Sequence, residues 1–171
     1  KVRKLHYLYT QTELDNKPFT FHGTGKEIFW GFIKSLLLLV VLYGMLFAGA
    51  LSLNPVIAIL TQLLFISVLF VIVPLAVHGS LKYRMSRSSW SGIHFGYRGE
   101  RGILIKKFIG GILLSIITLY IYLAWFIVDL RKYIIGNIRF GNVQFRFDGT
   151  GGALFLLNLK GIFFSLITFG I

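Results

Sequence analysis

The chain has 171 residues, 56% of them hydrophobic and only 14% charged, with a mean hydropathy of +0.76. Soluble domains average about 45–50% apolar and about 25% charged, so this composition excludes an ordinary water-soluble globule and points to lipid as the solvent. Eighteen Lys and Arg stand against six Asp and Glu, a net charge of +12, and the lack of Cys removes disulfides, zinc–thiolate sites and thiol nucleophiles together.

Residue 1 is Lys and Ile171 falls inside an apolar run, so a piece of a longer protein is expected. From Ser35 to Leu81 no Asp, Glu, Lys or Arg occurs, a 47-residue stretch interrupted only by Ser52-Leu-Asn-Pro55. That pattern predicts two transmembrane helices, about 28–53 and 55–78, with a tight connection. Ser35 to Leu53 alone would give about 28 Å of helix, close to the hydrocarbon thickness. Pro55 suits a first helical turn, and Pro74 is expected to kink the second helix. A third uncharged run, Phe108 to Val128, predicts one kinked or re-entrant membrane segment over about 103–128, and a fourth begins near Gly161. These runs are internal and too long for a signal peptide.

Sliding the chain against itself reveals a repeat. Phe19-Thr-Phe-His-Gly23, Phe95-Gly-Tyr-Arg-Gly99 and Phe145-Arg-Phe-Asp-Gly149 share Phe-x-aromatic-x-Gly, and a Tyr stands twelve residues before each leading Phe, at Tyr7, Tyr83 and Tyr133. Further on, Leu42-Tyr-Gly-Met45, Thr118-Leu-Tyr-Ile121 and Thr168-Phe-Gly-Ile171 fall in register. The unit reads as a basic, Tyr-bearing helix end, a short strand, a Gly turn and a membrane helix. Expected boundaries are 1–23 (tail of a preceding unit with a first strand), 24–99, 100–149 and 150–171 (start of a further unit).

Period-two alternation in Ile93, Phe95 and Tyr97, and in Val143, Phe145 and Phe147, predicts strands with one aromatic face. Open sheet edges do not survive in hydrocarbon, so such strands belong at the headgroup boundary, pairing with one another. Gly23 and Gly149 are expected to supply turn conformations, and Thr24-x-x-Glu27 is a capping box. The sharper alternative for Gly23-Thr-Gly-Lys26 is an anion cradle, although the Walker spacing is absent.

His22-Gly-Thr-Gly25, the Thr-Leu-x-Ile-Tyr-x-x-Trp of Thr118 to Trp125, and Arg131-Lys-Tyr133 before Gly141-Asn-x-x-Phe145 resemble the bacterial inner-membrane YjgN family. The resemblance covers nearly the whole chain. It implies a multi-pass inner-membrane protein and carries no catalytic residue or ligand across. The chain departs from that family's Thr-Leu-Gly-Ile-Tyr-x-Pro-Trp at Tyr120 and Ala124, which argues against a sharp break there.

Between His78 and Lys107 lie seven Lys and Arg against Glu100 alone, whereas Ser52 to Pro55 carries no charge. By the positive-inside rule the basic segment is cytoplasmic and the Asn54 turn periplasmic. A straight third span would export Arg131, Lys132, Arg139, Arg146 and Lys160, so a re-entrant hairpin turning near Leu119 to Tyr122 is preferred. The basic residues are spread over helix ends rather than gathered on a soluble domain, which favours anionic lipid over nucleic acid as partner.

Candidate contacts to anionic headgroups are Lys26, Lys34, Arg101, Lys106 and Lys107, and Asp129 with Lys132 is the candidate intramembrane ion pair. His6, His22, His78 and His94 lack metal-ligand spacing, so neither metal nor cofactor is expected. No nucleophile–base constellation or Gly-x-Ser-x-Gly occurs, which argues against an enzyme. The expected fold is mainly α, a multi-pass helical membrane protein built from internal repeats with short juxtamembrane β-strands after each basic helix end. The expected role is an inner-membrane scaffold or partner-binding module with a basic, aromatic cytoplasmic face. A transporter or lipid-handling protein with a site between units is the alternative.

Overall fold

In the computed structural model the described residues are 2–52 and 54–168, and the chain divides into two compact units, Lys1–Phe95 and Gly96–Ile171. Leu53 of the expected connection and Phe169-Gly170-Ile171 of the third repeat lie outside the described residues.

The first unit opens with helix α1 (Val2–Thr10), followed by strands β1 (Glu13–Leu14) and β2 (Lys17–Phe21), which pair antiparallel around Asp15-Asn16. Both turn residues have positive φ, 54° and 57°, the left-handed geometry that matches strand twist in two-residue hairpins. Helix α2 (Gly25–Ala50) starts at the predicted capping box, with the Thr24 and Glu27 side chains each accepting the other's backbone N–H. Helix α3 (Pro55–Ser86) starts where the Asn54 side chain accepts from the Val56 N–H at 3.0 Å, with Pro55 in its first turn. It runs past the expected end near residue 78 and continues as helix through Pro74, bringing Tyr83 and Arg84 into its last turn.

Helices α2 and α3 lean together where Gly49 leaves room for the Thr61 side chain and Tyr43 meets Phe65 at 5.4 Å. Elsewhere they show bare hydrocarbon: Val41 is 65% exposed and Phe47 66%. Only 6% of the apolar stretch of α2 and none of that of α3 is buried, which separates them from the core helices of a soluble fold. After α3 come β3 (Ser88–Trp90) and β4 (Ile93–Tyr97), folded about Ser91-Gly92 at φ 49° and 79°. Strand β2 pairs with β3, setting Phe19 opposite Trp90 and Phe21 opposite Ser88.

In the second unit the third apolar run is a helical hairpin, α4 (Arg101–Ile117) and α5 (Leu123–Gly136), broken over residues 118–122. Leu119 and Tyr120 take the left-handed conformation, at φ 50° and 67°, where the resembled family has its Gly. The break that the Tyr120 and Ala124 departures argued against is therefore present, held by non-glycine residues, with the Tyr122 N–H on the Thr118 hydroxyl at 3.0 Å. Leu104, Ser115, Ala124, Phe126 and Val128 are buried, and the Phe126 ring lies against Gly111, where a Cβ would collide with it. Strands β5 (Ile138–Phe140) and β6 (Val143–Gln144) form a hairpin through Gly141, at φ 56°. Helix α6 (Gly151–Ile167) is capped by Thr150 and packs on α5 through Trp125, whose ring sits on Gly151 and 5.3 Å from Phe155.

The structure departs from the sequence expectations at two points. Each motif strand pairs first with a short strand before it, making a β-hairpin, and the expected Val143-to-Phe147 strand stops at Gln144. Gly23 and Gly149 are absent from the positive-φ residues, so they are not needed for left-handed turns. Their requirement is steric, as the joints show.

Candidate functional site at the hairpin joints

One arrangement recurs where helices leave and return. Two residues before each motif glycine an aromatic ring folds back over it: Phe21 over Gly23, Tyr97 over Gly99 and Phe147 over Gly149. A Cβ on any of these glycines would overlap the ring, so Phe-x-aromatic-x-Gly encodes an aromatic side chain pressed against a glycine backbone.

The Tyr of the repeat closes the joint. At the base of the first hairpin the Tyr83 hydroxyl donates to Glu27 Oε2 at 3.0 Å, its ring meets Phe21 edge-on at 6.3 Å, and it stands 2.6 Å from where a Gly23 Cβ would be. Arg87 forms an ion pair with the other oxygen of Glu27, so this carboxylate joins the start of α2 to the end of α3. In the second unit the Tyr133 hydroxyl accepts the Glu100 N–H at 2.7 Å and donates to the Glu100 carbonyl at 2.9 Å, tying the end of α5 to the start of α4. Identical backbone bonds accompany both: the His22 N–H donates to the Arg87 carbonyl at 2.7 Å, and the Arg98 N–H to the Asn137 carbonyl at 2.9 Å. Both hairpins thus return to the level at which they started.

Burial together with the neighbouring Tyr133 pushes the Tyr97 phenol up to about 12, keeping it neutral. At the exposed end of the third module Asp148 accepts from Arg146 and raises that guanidinium's pKa further.

Lys26, Lys34, Arg101, Lys106 and Lys107 are all exposed, on α2 and on the first two turns of α4. The proposed cradle at Gly23 is filled: rings cover the glycine, and the Glu27 carboxylate accepts the Thr24 N–H that an anion would have used. Asp129 and Lys132 are exposed on α5, and the ion pairs among the described residues are Arg87 with Glu27 and Arg146 with Asp148. The expected Asp129–Lys132 pair is therefore not formed, in keeping with the small gain two solvated charges make by pairing.

The histidines are structural neighbours: His6 Nε2 lies 3.3 Å from the Gly23 carbonyl, His22 Nε2 lies 2.8 Å from Ser89 Oγ, and the His22 and His94 rings lie 5.6 Å apart. No group of three metal-ligating side chains occurs among the described residues. Three hydroxyls in or at the end of the apolar helices bond to their own helix, Ser67 to the Leu63 carbonyl, Ser115 to that of Gly111 and Thr118 to that of Leu114. A 270 Å³ groove beside α1, lined by Leu8, Phe19, Met85 and Phe95, has its hydroxyls likewise engaged: Thr12 with Leu8, and Ser88 with Tyr9 and Arg84.

Sequence reasoning missed the Glu27–Arg87 pair, the leading strand of each β-hairpin and the task of the tyrosines. The constant Tyr spacing and the dipeptides Asp15-Asn16, Ser91-Gly92 and Gly141-Asn142 were the signals that carried them.

A family profile described as "Bacterial protein of unknown function (DUF898)" matches residues 1–171. Inner membrane protein YjgN of Escherichia coli (strain K12) is 38% identical over 66 residues, 39% of this chain and 16% of that protein. Inner membrane protein YjgN of Salmonella typhimurium (strain LT2) is 38% identical over 60 residues, 35% of this chain and 15% of that protein. The matched stretch spans about a sixth of the length of these curated relatives. No solved structure matches the chain.

Proposed function

From the premise that this chain belongs to the DUF898 family of bacterial proteins and shares the inner membrane with its relatives, we propose that it is a non-enzymatic, multi-pass scaffold. Repeated helical hairpins are clasped at their bases by Tyr hydroxyls, Tyr83 on Glu27 and Tyr133 on Glu100, and present a basic, aromatic face to the cytoplasm. The observation that carries this reading is that both hairpins close on themselves, Tyr83 on Glu27 and Tyr133 on Glu100. A hairpin closed at its base delivers the β-hairpins and their flanking basic residues to the face from which it set out.

Length supports different depths for the two. At about 1.5 Å per residue the 26 residues of α2 and 32 of α3 give about 39 and 48 Å, enough to cross, whereas the 17 of α4 and 14 of α5 give about 25 and 21 Å. The second hairpin is therefore read as re-entrant, which leaves Arg101, Lys106, Lys107, Arg131 and Lys132 on the cytoplasmic side with anionic headgroups as their counter-charge. At Ser67, Ser115 and Thr118 the hydroxyls bond to their own helix, which favours packing over transport at those positions, because a midplane substrate site needs polar groups that point away from their own helix.

Single-cysteine labelling tests the arrangement. In spheroplasts, a membrane-impermeant maleimide is expected to modify Asn54→Cys and to leave Asn142→Cys and Glu13→Cys unmodified until the membrane is opened. Modification of Asn142→Cys from the periplasmic side would overturn it.

A further inference from the structure

Two arginines share the polar face of the second joint. The Arg98 N–H donates to the Asn137 carbonyl, and Arg139 follows two residues on in the opposing strand. In the first joint the same two places are held by His22 and Ser89, whose side chains meet at 2.8 Å. The register therefore sets the Arg98 and Arg139 side chains on one face, within reach of one another. Gln144, opposite Arg139, spends its amide on the Gly136 carbonyl. Arg139 is half-buried, and its Nε is shut off from solvent with no hydrogen-bond partner among the described residues. Neither arginine belongs to an ion pair among those residues. Both sides of this joint are present, with its Tyr133 clasp closed and its backbone bond made.

Elsewhere in the repeat an arginine at the joint meets a carboxylate of the chain. Arg87 pairs with Glu27, and Arg146 pairs with Asp148, which stands at the place of Arg98 in the third module. In the second joint the place of Glu27 is held by Ile103, and from Gly96 onward nine Lys and Arg stand against Glu100, Asp129 and Asp148. Two guanidiniums on one face repel each other, and partial burial adds to the cost of each, so an anion between them is favoured. Each presents N–H donors in a planar fork that matches phosphate oxygens, and a tetrahedral phosphate has oxygens for two forks. We infer that Arg98 and Arg139 form a binding site for one phosphate group, that of an anionic phospholipid at the cytoplasmic surface. The lipid source follows from α4 and α5, which meet at this joint as apolar helices, so a phosphate held there lies at the boundary between hydrocarbon and water. Free phosphate offers the same chemistry, and the test separates the two. This inference rests on the proposed placing of the joint at the cytoplasmic surface, and it adds the ligand and the residues that hold it.

The test follows thermal unfolding of the full-length protein in neutral detergent as phosphatidylglycerol, phosphatidylcholine or inorganic phosphate is added. Phosphatidylglycerol is expected to raise the unfolding midpoint of the parent, and phosphatidylcholine, whose headgroup carries a compensating positive charge, to raise it far less. Arg98→Gln and Arg139→Gln are each expected to raise the half-maximal phosphatidylglycerol concentration about tenfold or more, through loss of a charge-assisted contact. Arg3→Gln, which removes the same charge from the exposed side of α1, is expected to leave it unchanged. Arg98 is exposed, so its variant keeps the test decisive should Arg139→Gln fail to fold. An arginine-dependent shift with inorganic phosphate as large as that with phosphatidylglycerol would overturn the lipid as the source and make the ligand the free ion. Equal shifts in all variants, or none in the parent, would overturn the site and leave the membrane scaffold reading standing. Failure of that reading shows separately, as periplasmic labelling of Asn142→Cys.

Discussion

Glycine matters here for what it lacks. Gly99 lies under the Tyr97 ring, whereas Gly102, three residues on, has open space around its Cα. Gly99→Ala is expected to lower stability by about 1–3 kcal/mol through overpacking, and Gly102→Ala to be neutral or slightly stabilising, measured by thermal unfolding in detergent. Equal effects from the two would show that the ring does not lie on the backbone. Tyr97 also predicts a pH response. Its phenol is raised from 10 to about 12, so the folded chain holds the neutral form. Its stabilising contribution is full below pH 10; as pH rises toward 12 only the unfolded chain ionises, and stability falls. Alkaline unfolding followed by circular dichroism should therefore be flatter over that window in Tyr97→Phe than in the parent. The motif residues were all visible in the sequence, yet nothing in linear spacing distinguishes a glycine needed for φ from one needed for closeness.

At the scale of elements, the α4–α5 turn places two non-glycine residues in the left-handed region. That conformation costs about 1–2 kcal/mol per residue for an L side chain. Tyr120→Gly is expected to raise the thermal stability by up to about 1 kcal/mol, relief of strain outweighing the added freedom of the unfolded chain. Were residues 101–136 one continuous helix, the same change would lower stability by about 1 kcal/mol. Apolar runs, the Asn54-Pro55 start of α3 and the Thr24 capping box were legible because each is a local signal. The leading strands β1, β3 and β5, at two to three residues, are too short for alternation to register and are betrayed only by their turn dipeptides. The Glu27–Arg87 pair spans sixty residues and follows only once the hairpin is known to close.

At the scale of the whole molecule, the recurring Phe-x-aromatic-x-Gly motif and its Tyr spacing were visible in the sequence, but not their task. A Tyr twelve residues ahead of a Phe becomes intelligible when the Tyr closes one hairpin and the Phe-bearing strand leads into the next. The claim on which the rest depends is that the 101–136 segment doubles back. Spin labels at Gly102→Cys and Lys132→Cys, near the two ends of that hairpin, measure this by pulsed dipolar spectroscopy in lipid nanodiscs. Neighbouring helices pack about 8–10 Å apart, so with label linkers a distance within about 25 Å is predicted. A distance near 45 Å, the length of about thirty residues of uninterrupted helix, would contradict it.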